Sequence, residues 1–173
     1  VKEHVSTVGK GKRAETLPFC MSLWGGMTTD GMLKRIDAAK NNSLPFEYVW
    51  IDAGWHGVSK KESPDEFEGD WYDSTGDWRV NKTHHPDGLL KVAKAVKDAN
   101  MKLLLWFEPE RAIKNTEIVK EHPEYFIASP FEGDKNVLLN LGDKNAFDYC
   151  LNTVSNIIET LGVDCYRQDF NFS

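Results

Sequence analysis

The sequence predicts an α/β fold built on a parallel sheet, and two observations carry that prediction. Short apolar runs of strand length alternate with amphipathic helical stretches along most of the 173 residues. Alternation of that kind calls for parallel strands joined by helical crossovers. The apolar runs also stop abruptly at acids or tryptophan, at Trp24, Asp52, Glu108 with Glu110, and Asp169. In parallel α/β folds, the carboxyl ends of the strands are where ligands bind.

The elements follow in order. Residues 1–16 carry Lys2, Lys10, Lys12 and Arg13 with few apolar residues, and read as a tail or as the lead-in from a preceding domain. They lack the apolar core of a signal peptide. The chain opens on Val1 rather than Met, so it is expected to begin inside a longer polypeptide, with a cytoplasmic location slightly favoured. Residues 17–173 read as one partial domain. Pro18–Trp24 is a first buried strand, stopped by Gly25-Gly26. Thr29 or Asp30 caps a helix to about Lys40, with Leu33, Ile36 and Ala39 on one face. Phe46–Ile51 is a second strand rich in β-formers, ending at Asp52-Ala-Gly-Trp55.

Trp55–Asn81 is polar, punctuated by aromatics, and reads as a long loop holding a small hairpin. Loops of that length are usually functional. Asp87 after Pro86 is placed to cap a helix to about Asn100. Met101–Phe107 is a third strand, ending at Glu108-Pro-Glu-Arg111, and Thr116–His122 is a short helix closed by Pro123. Val137–Leu141 is a brief strand-like run. Asp143 caps the clearest helix, whose broad apolar stripe includes Phe147, Leu151, Val154 and Leu161, and Gly162 ends it. Val163–Gln168 is the last main strand, ending at Asp169-Phe-Asn171.

Composition narrows the function. A net charge of −6 argues against a nucleic-acid binder, which needs a basic face. The longest apolar run, Met101–Phe107, is interrupted by Lys102 and is far short of a membrane span of about 18 residues. Neither a GxGxxG turn nor a GxxxxGK[ST] loop is present, so neither a dinucleotide nor a nucleotide phosphate is indicated. The three cysteines match no disulfide framework or zinc site, and Cys20 and Cys165, which sit in apolar runs, read as small buried hydrophobes. No metal or cofactor is called for.

Six tryptophans, at 24, 50, 55, 71, 78 and 106, are many for this length. Trp50 and Trp71 are assigned to packing. Trp24, Trp55 and Trp106 stand beside the strand-end carboxylates. Carboxylates accept from sugar hydroxyls, and indoles cover the apolar faces of sugar rings. Hydrolysis of a glycosidic bond usually takes two carboxyl groups, one as nucleophile or base and one as acid.

Four motifs then carry a family resemblance: Trp-Ile-Asp-Ala-Gly-Trp (50–55), Gly-Asp-Trp (76–78) with His-Pro-Asp-Gly-Leu (85–89), Leu-Trp-Phe-Glu-Pro-Glu (105–110), and Tyr-Arg-Gln-Asp-Phe-Asn (166–171). In order and spacing they resemble the α-galactosidases of glycoside hydrolase family 36, from about Pro18 to Asn171. The resemblance implies a TIM (β/α)8 barrel, of which this chain covers about the first four β/α units. It implies retaining hydrolysis of α-galactosides, of the melibiose or raffinose type or α-galactosyl oligosaccharides. Asp169 falls on the family's nucleophile. Asp52, Trp55, Trp106, Arg167 and Asn171 fall at substrate-binding positions, with Trp24, Glu108 and Glu110 in support. The family's general acid lies on a sixth strand, beyond this chain.

Three departures bear on specificity. Ala53 stands where many relatives have a second Asp, Arg167-Gln168 where many have Lys-Trp, and Arg111 where Met is common. An α-N-acetylgalactosaminide therefore stays an alternative substrate. Self-association of the full-length enzyme also stays open. Two rivals from other classes are a non-catalytic carbohydrate-binding module and a non-catalytic half-barrel. Such modules are mostly all-β, and the Asp143–Leu161 helix argues against one.

Overall fold

The structure, a computed structural model, describes residues 18–63 and 69–171. The lead-in expected over residues 1–16 lies outside them. Strands β1 (Cys20–Leu23), β2 (Tyr48–Ile51), β3 (Lys102–Phe107) and β7 (Cys165–Gln168) form one parallel sheet in the order β1-β2-β3-β7. Helices α1 (Thr29–Asn41) and α2 (Leu90–Asp98) cross between the first three strands, and α4 (Lys144–Leu161) crosses from β3 to β7. Between β3 and α4 lies a segment the sequence reading resolved only in part. It holds β4 (Arg111–Ile113), a short helix α3 (Glu117–Glu121), β5 (Phe126–Ala128) and β6 (Asn136–Leu139). These three strands make a second, antiparallel sheet in the order β4-β6-β5.

Alternation along the parallel strands separates two faces. Leu23, Val49, Ile51, Leu103, Leu105 and Phe107 are buried in one core with Met32 and Ile36 of α1 and Val92 and Val96 of α2. The opposite face carries Trp50, Leu104, Cys165 and Arg167 at neighbouring register positions, all only partly buried. Cys20 and Cys165 follow this pattern, and all three cysteines, Cys150 of α4 included, are free and half-buried rather than fully buried.

Local chemistry sets the element ends. Thr28 caps α1, its side chain accepting from the Gly31 N–H, one residue before the expected cap. Asp143 caps α4 through the Asn145 and Ala146 N–H groups, and Gly162 closes it in the left-handed conformation. The expected Asp87 cap is corrected: α2 begins at Leu90 with no side-chain cap, and Asp87 pairs with Lys91 instead. The expected hairpin in the long loop is also corrected. Among the described residues the loop holds a 3₁₀ turn at Trp71–Ser74 and one antiparallel bridge, His56 to Val80. The broad apolar stripe of α4 is covered only in part, since Phe147 and Leu151 are exposed while Ala146 and Leu161 are buried.

The turns after β1 and β2 press backbone on backbone. A Cβ on Gly25 would lie 2.3 Å from the Asp52 carbonyl oxygen, and one on Gly54, at φ +96°, would lie 2.6 Å from the Gly26 nitrogen. His85 of the His-Pro-Asp-Gly-Leu motif clamps the same corner. Its Nε2 faces the Gly25 carbonyl at 3.2 Å and its Nδ1 faces the Thr29 hydroxyl at 2.9 Å. A carbonyl only accepts, so Nε2 carries the proton and Nδ1 accepts from the hydroxyl.

Burial pushes the pKa of both His85 and the fully buried His56 down to about 4. Between about pH 6.5 and 4 the unfolded chain binds protons that the native chain does not. The stability these neutral imidazoles contribute is complete above about pH 6.5 and is lost as pH falls towards 4, by up to on the order of 3 kcal/mol each. We expect denaturant midpoints to drop on acidification through this window. They should drop less steeply in His85→Gln, and equal slopes would reject the assignment.

Candidate active site

The sheet ladder continues into the site. The Asp52 N–H donates to the Leu23 carbonyl at 2.9 Å and the Asp169 N–H to the Phe107 carbonyl at 2.8 Å. Both acids are thus held at the carboxyl ends of their strands by the pairing that builds the sheet. Asp52 also accepts its neighbour Ala53's N–H at 2.8 Å.

Asp169 is the best-provided acid at these strand ends. Its Oδ2 accepts from Trp106 Nε1 at 3.0 Å and lies 3.1 Å from Arg167 Nη1. Burial works to raise its pKa, but the donors from Trp106, Arg167 and Asn171 outweigh it and hold the carboxyl at about 2. Arg167 is on the same side of β7 as Asp169, as alternation requires. Its guanidinium stacks 4.9 Å from the Trp50 ring. Trp50, assigned to packing from sequence, therefore supports the cation that supports Asp169.

The tryptophans sort by depth. Trp55 and Trp106 are both buried. Trp55 donates its indole N–H to the Trp106 carbonyl at 2.9 Å, so it props Trp106 from beneath, and Trp106 presents its own N–H to Asp169. Trp24 is half-buried at the end of β1. Trp71 meets Trp24 edge to face at 5.6 Å and Trp106 at 5.9 Å. It spans from the β1 end to the β3 end, a place that sequence reasoning missed. The only available signal was an aromatic inside a long polar loop, which packing explains equally well.

The two glutamates of the third motif have different fates. Glu108 is fully buried and takes a two-pronged contact from Arg111, Nε to Oε1 at 2.8 Å and Nη2 to Oε2 at 2.6 Å. Its Oε1 also accepts the Asn171 backbone N–H. Glu110 Oε1 accepts from Gln168 Nε2 at 2.5 Å, and Gln168 alternates to the face of β7 away from Asp169. Glu108 thus has both oxygens engaged, whereas Glu110 keeps a buried Oε2 with no hydrogen-bond partner among the described residues. Among the described residues, no group of three or more His, Cys, Asp or Glu is placed to hold a metal. A separate cleft of about 500 Å³ between the Gly76–Arg79 turn and α4 contains none of these residues.

A family model described as melibiase matches residues 6–173. The chain belongs to the melibiase family. Among curated members, it is 31% identical over 132 residues to α-galactosidase AgaA of Geobacillus stearothermophilus, covering 74% of this chain and 17% of that protein. It is 31% identical over 142 residues to α-galactosidase Mel36A of Lactobacillus acidophilus, covering 80% of this chain and 18% of that one. The crystal structure of AgaA, a family 36 enzyme, superposes with a TM-score of 0.76 at 25% identity, over 96% of this chain and 23% of its own. The chain thus spans under a quarter of these melibiase relatives. Its four-stranded parallel sheet with helical crossovers is part of the TIM barrel of that family, about four of its β/α units.

Proposed function

We propose that residues 17–173 form the nucleophile-bearing half of the catalytic barrel of a retaining α-galactosidase. One observation carries the reading: a strand-end carboxylate, Asp169, fixed by the sheet and kept ionised by Trp106 and Arg167. An ionised, oriented carboxylate is what attack on an anomeric carbon requires. Asp52, two strands away at the same end of the sheet, accepts from sugar hydroxyls. Asn171 and Arg167 contribute donors, and the half-buried Trp24 offers an apolar surface. The relatives' names support the galactoside, as do solved AgaA variants in complex with stachyose and with raffinose.

The reading is tested on the full-length enzyme that carries this segment. We expect hydrolysis of melibiose or raffinose with α-galactose as the first product by proton NMR. β-Galactose appearing first would reject retention, and turnover confined to an α-N-acetylgalactosaminide would transfer the reading to that sugar.

A further inference from the structure

Arg111 and Glu108 form a buried ion pair that neither the nucleophile nor the sugar contacts described above require. Both side chains are fully buried. Arg111 uses its whole fork: beyond Glu108 it reaches Asn136 Oδ1 at 3.2 Å through Nη1 and Thr75 Oγ1 at 3.2 Å through Nη2, and it lies 4.5 Å over the Tyr72 ring. Three pieces of chain, the Tyr72–Thr75 turn, Glu108 just after β3 and the start of β6, therefore converge on one guanidinium. Glu108 carries that network into the site, because its Oε1 accepts the N–H of Asn171, two residues past Asp169.

A buried pair of this kind rarely adds stability over apolar residues of similar size. What it supplies is a fixed geometry, since an arginine fork and a carboxylate lock each other's orientation. The chain around Asp169 is then held twice, before the side chain by the Phe107 carbonyl and after it by Glu108.

We propose that the Glu108–Arg111 pair is a positioning unit for the nucleophile, pinning the Asp169–Asn171 turn to the Thr75 turn and to β6. Arg111 does not touch the reacting atoms and acts through Glu108. This rests on Asp169 being the nucleophile.

The test uses the full-length enzyme and three variants: Arg111→Met, Arg111→Lys and the double variant Glu108→Gln/Arg111→Met. Small misplacements of reacting groups are costly, so kcat per folded molecule should fall about tenfold or more in Arg111→Met, with KM within about threefold. Arg111→Lys keeps the charge without the fork and should recover part of the loss. The double variant leaves no charge buried alone, so it folds even if Arg111→Met does not. It should match the wild type in thermal midpoint yet keep the kcat defect. Wild-type kcat in the folded double variant would overturn the proposal, because a merely structural pair would move the midpoint alone. Asp169→Ala is run beside them. If it stays active, the nucleophile reading has failed; if it is dead while the double variant is fully active, only the positioning role has failed.

Discussion

Replacing Asp169 with alanine in the full-length enzyme is expected to abolish turnover, and azide is expected to restore it as β-galactosyl azide. The argument starts from the ladder. Asp169 extends β7 by one more pairing with β3, through its N–H to the Phe107 carbonyl, so its side chain leaves the sheet from a rigid backbone. Trp106 and Arg167 both address Oδ2, and Oδ1 receives the Phe170 N–H at 3.1 Å. Donors to the carboxylate lower its pKa to about 2, so it is anionic near neutral pH. Losing a nucleophile that works with partners costs on the order of 10⁴–10⁶-fold in kcat. The alanine leaves a space on the β face of the sugar that a small anion fills, and attack from there inverts the α-linkage of an activated substrate to a β-azide. Turnover of the alanine variant within tenfold of wild type would remove Asp169 from the nucleophile's role. Rescue as the α-azide would place the missing group on the other face.

The fold was readable from the sequence wherever one helix face or one buried strand dominates. The four parallel strands and three crossover helices were all foreseen, with ends shifted by a few residues. The shifts came from local competition: Thr28 caps α1 ahead of Thr29, and Asp87 is taken by Lys91. The antiparallel sheet was mostly hidden. β4 and β5 are three residues each, too short to show a period of two, and only the β6 region read as a strand. In the candidate site, Asp52 and Asp169 were legible as strand-end positions because a polar residue ending an apolar run is itself a pattern, whereas Trp106, inside the third run, was reached through the family resemblance. The burial of Trp55 was not, since a tryptophan beneath a site and one lining it look alike in sequence. Arg111 was visible only as a departure from the family's common Met. Its role depends on Thr75 and Asn136, tens of residues away on either side, and no local pattern links them.

A polypeptide of residues 1–173 produced by itself is expected to hydrolyse unactivated α-galactosides at least about 100-fold more slowly than the full-length enzyme, even with Asp169 intact. Retention needs a second carboxyl about 5–5.5 Å from the nucleophile to protonate the leaving oxygen. The described strand ends offer three candidates. Glu108 has both oxygens on Arg111 and one also on the Asn171 amide. With donors on both oxygens and full burial, neither oxygen of Glu108 is open to a leaving group. Glu110 is tied to Gln168 on the other face of β7. Asp52 is separated from Asp169 by the whole of β3 in the sheet order. At strand spacings of about 4.8 Å its backbone stands about 10 Å away, which suits hydroxyl binding better than proton delivery. Without an acid, the sugar's leaving group departs as an alkoxide, forfeiting about 10²–10⁴-fold. A leaving group that needs no proton separates this cause from misfolding. On 2,4-dinitrophenyl α-galactoside the 1–173 polypeptide should release a stoichiometric burst of dinitrophenol as Asp169 is galactosylated. Full activity on raffinose would show that one of the three described acids serves as the proton donor. Absence of the burst in a folded sample would show that the nucleophile's geometry depends on residues outside this chain.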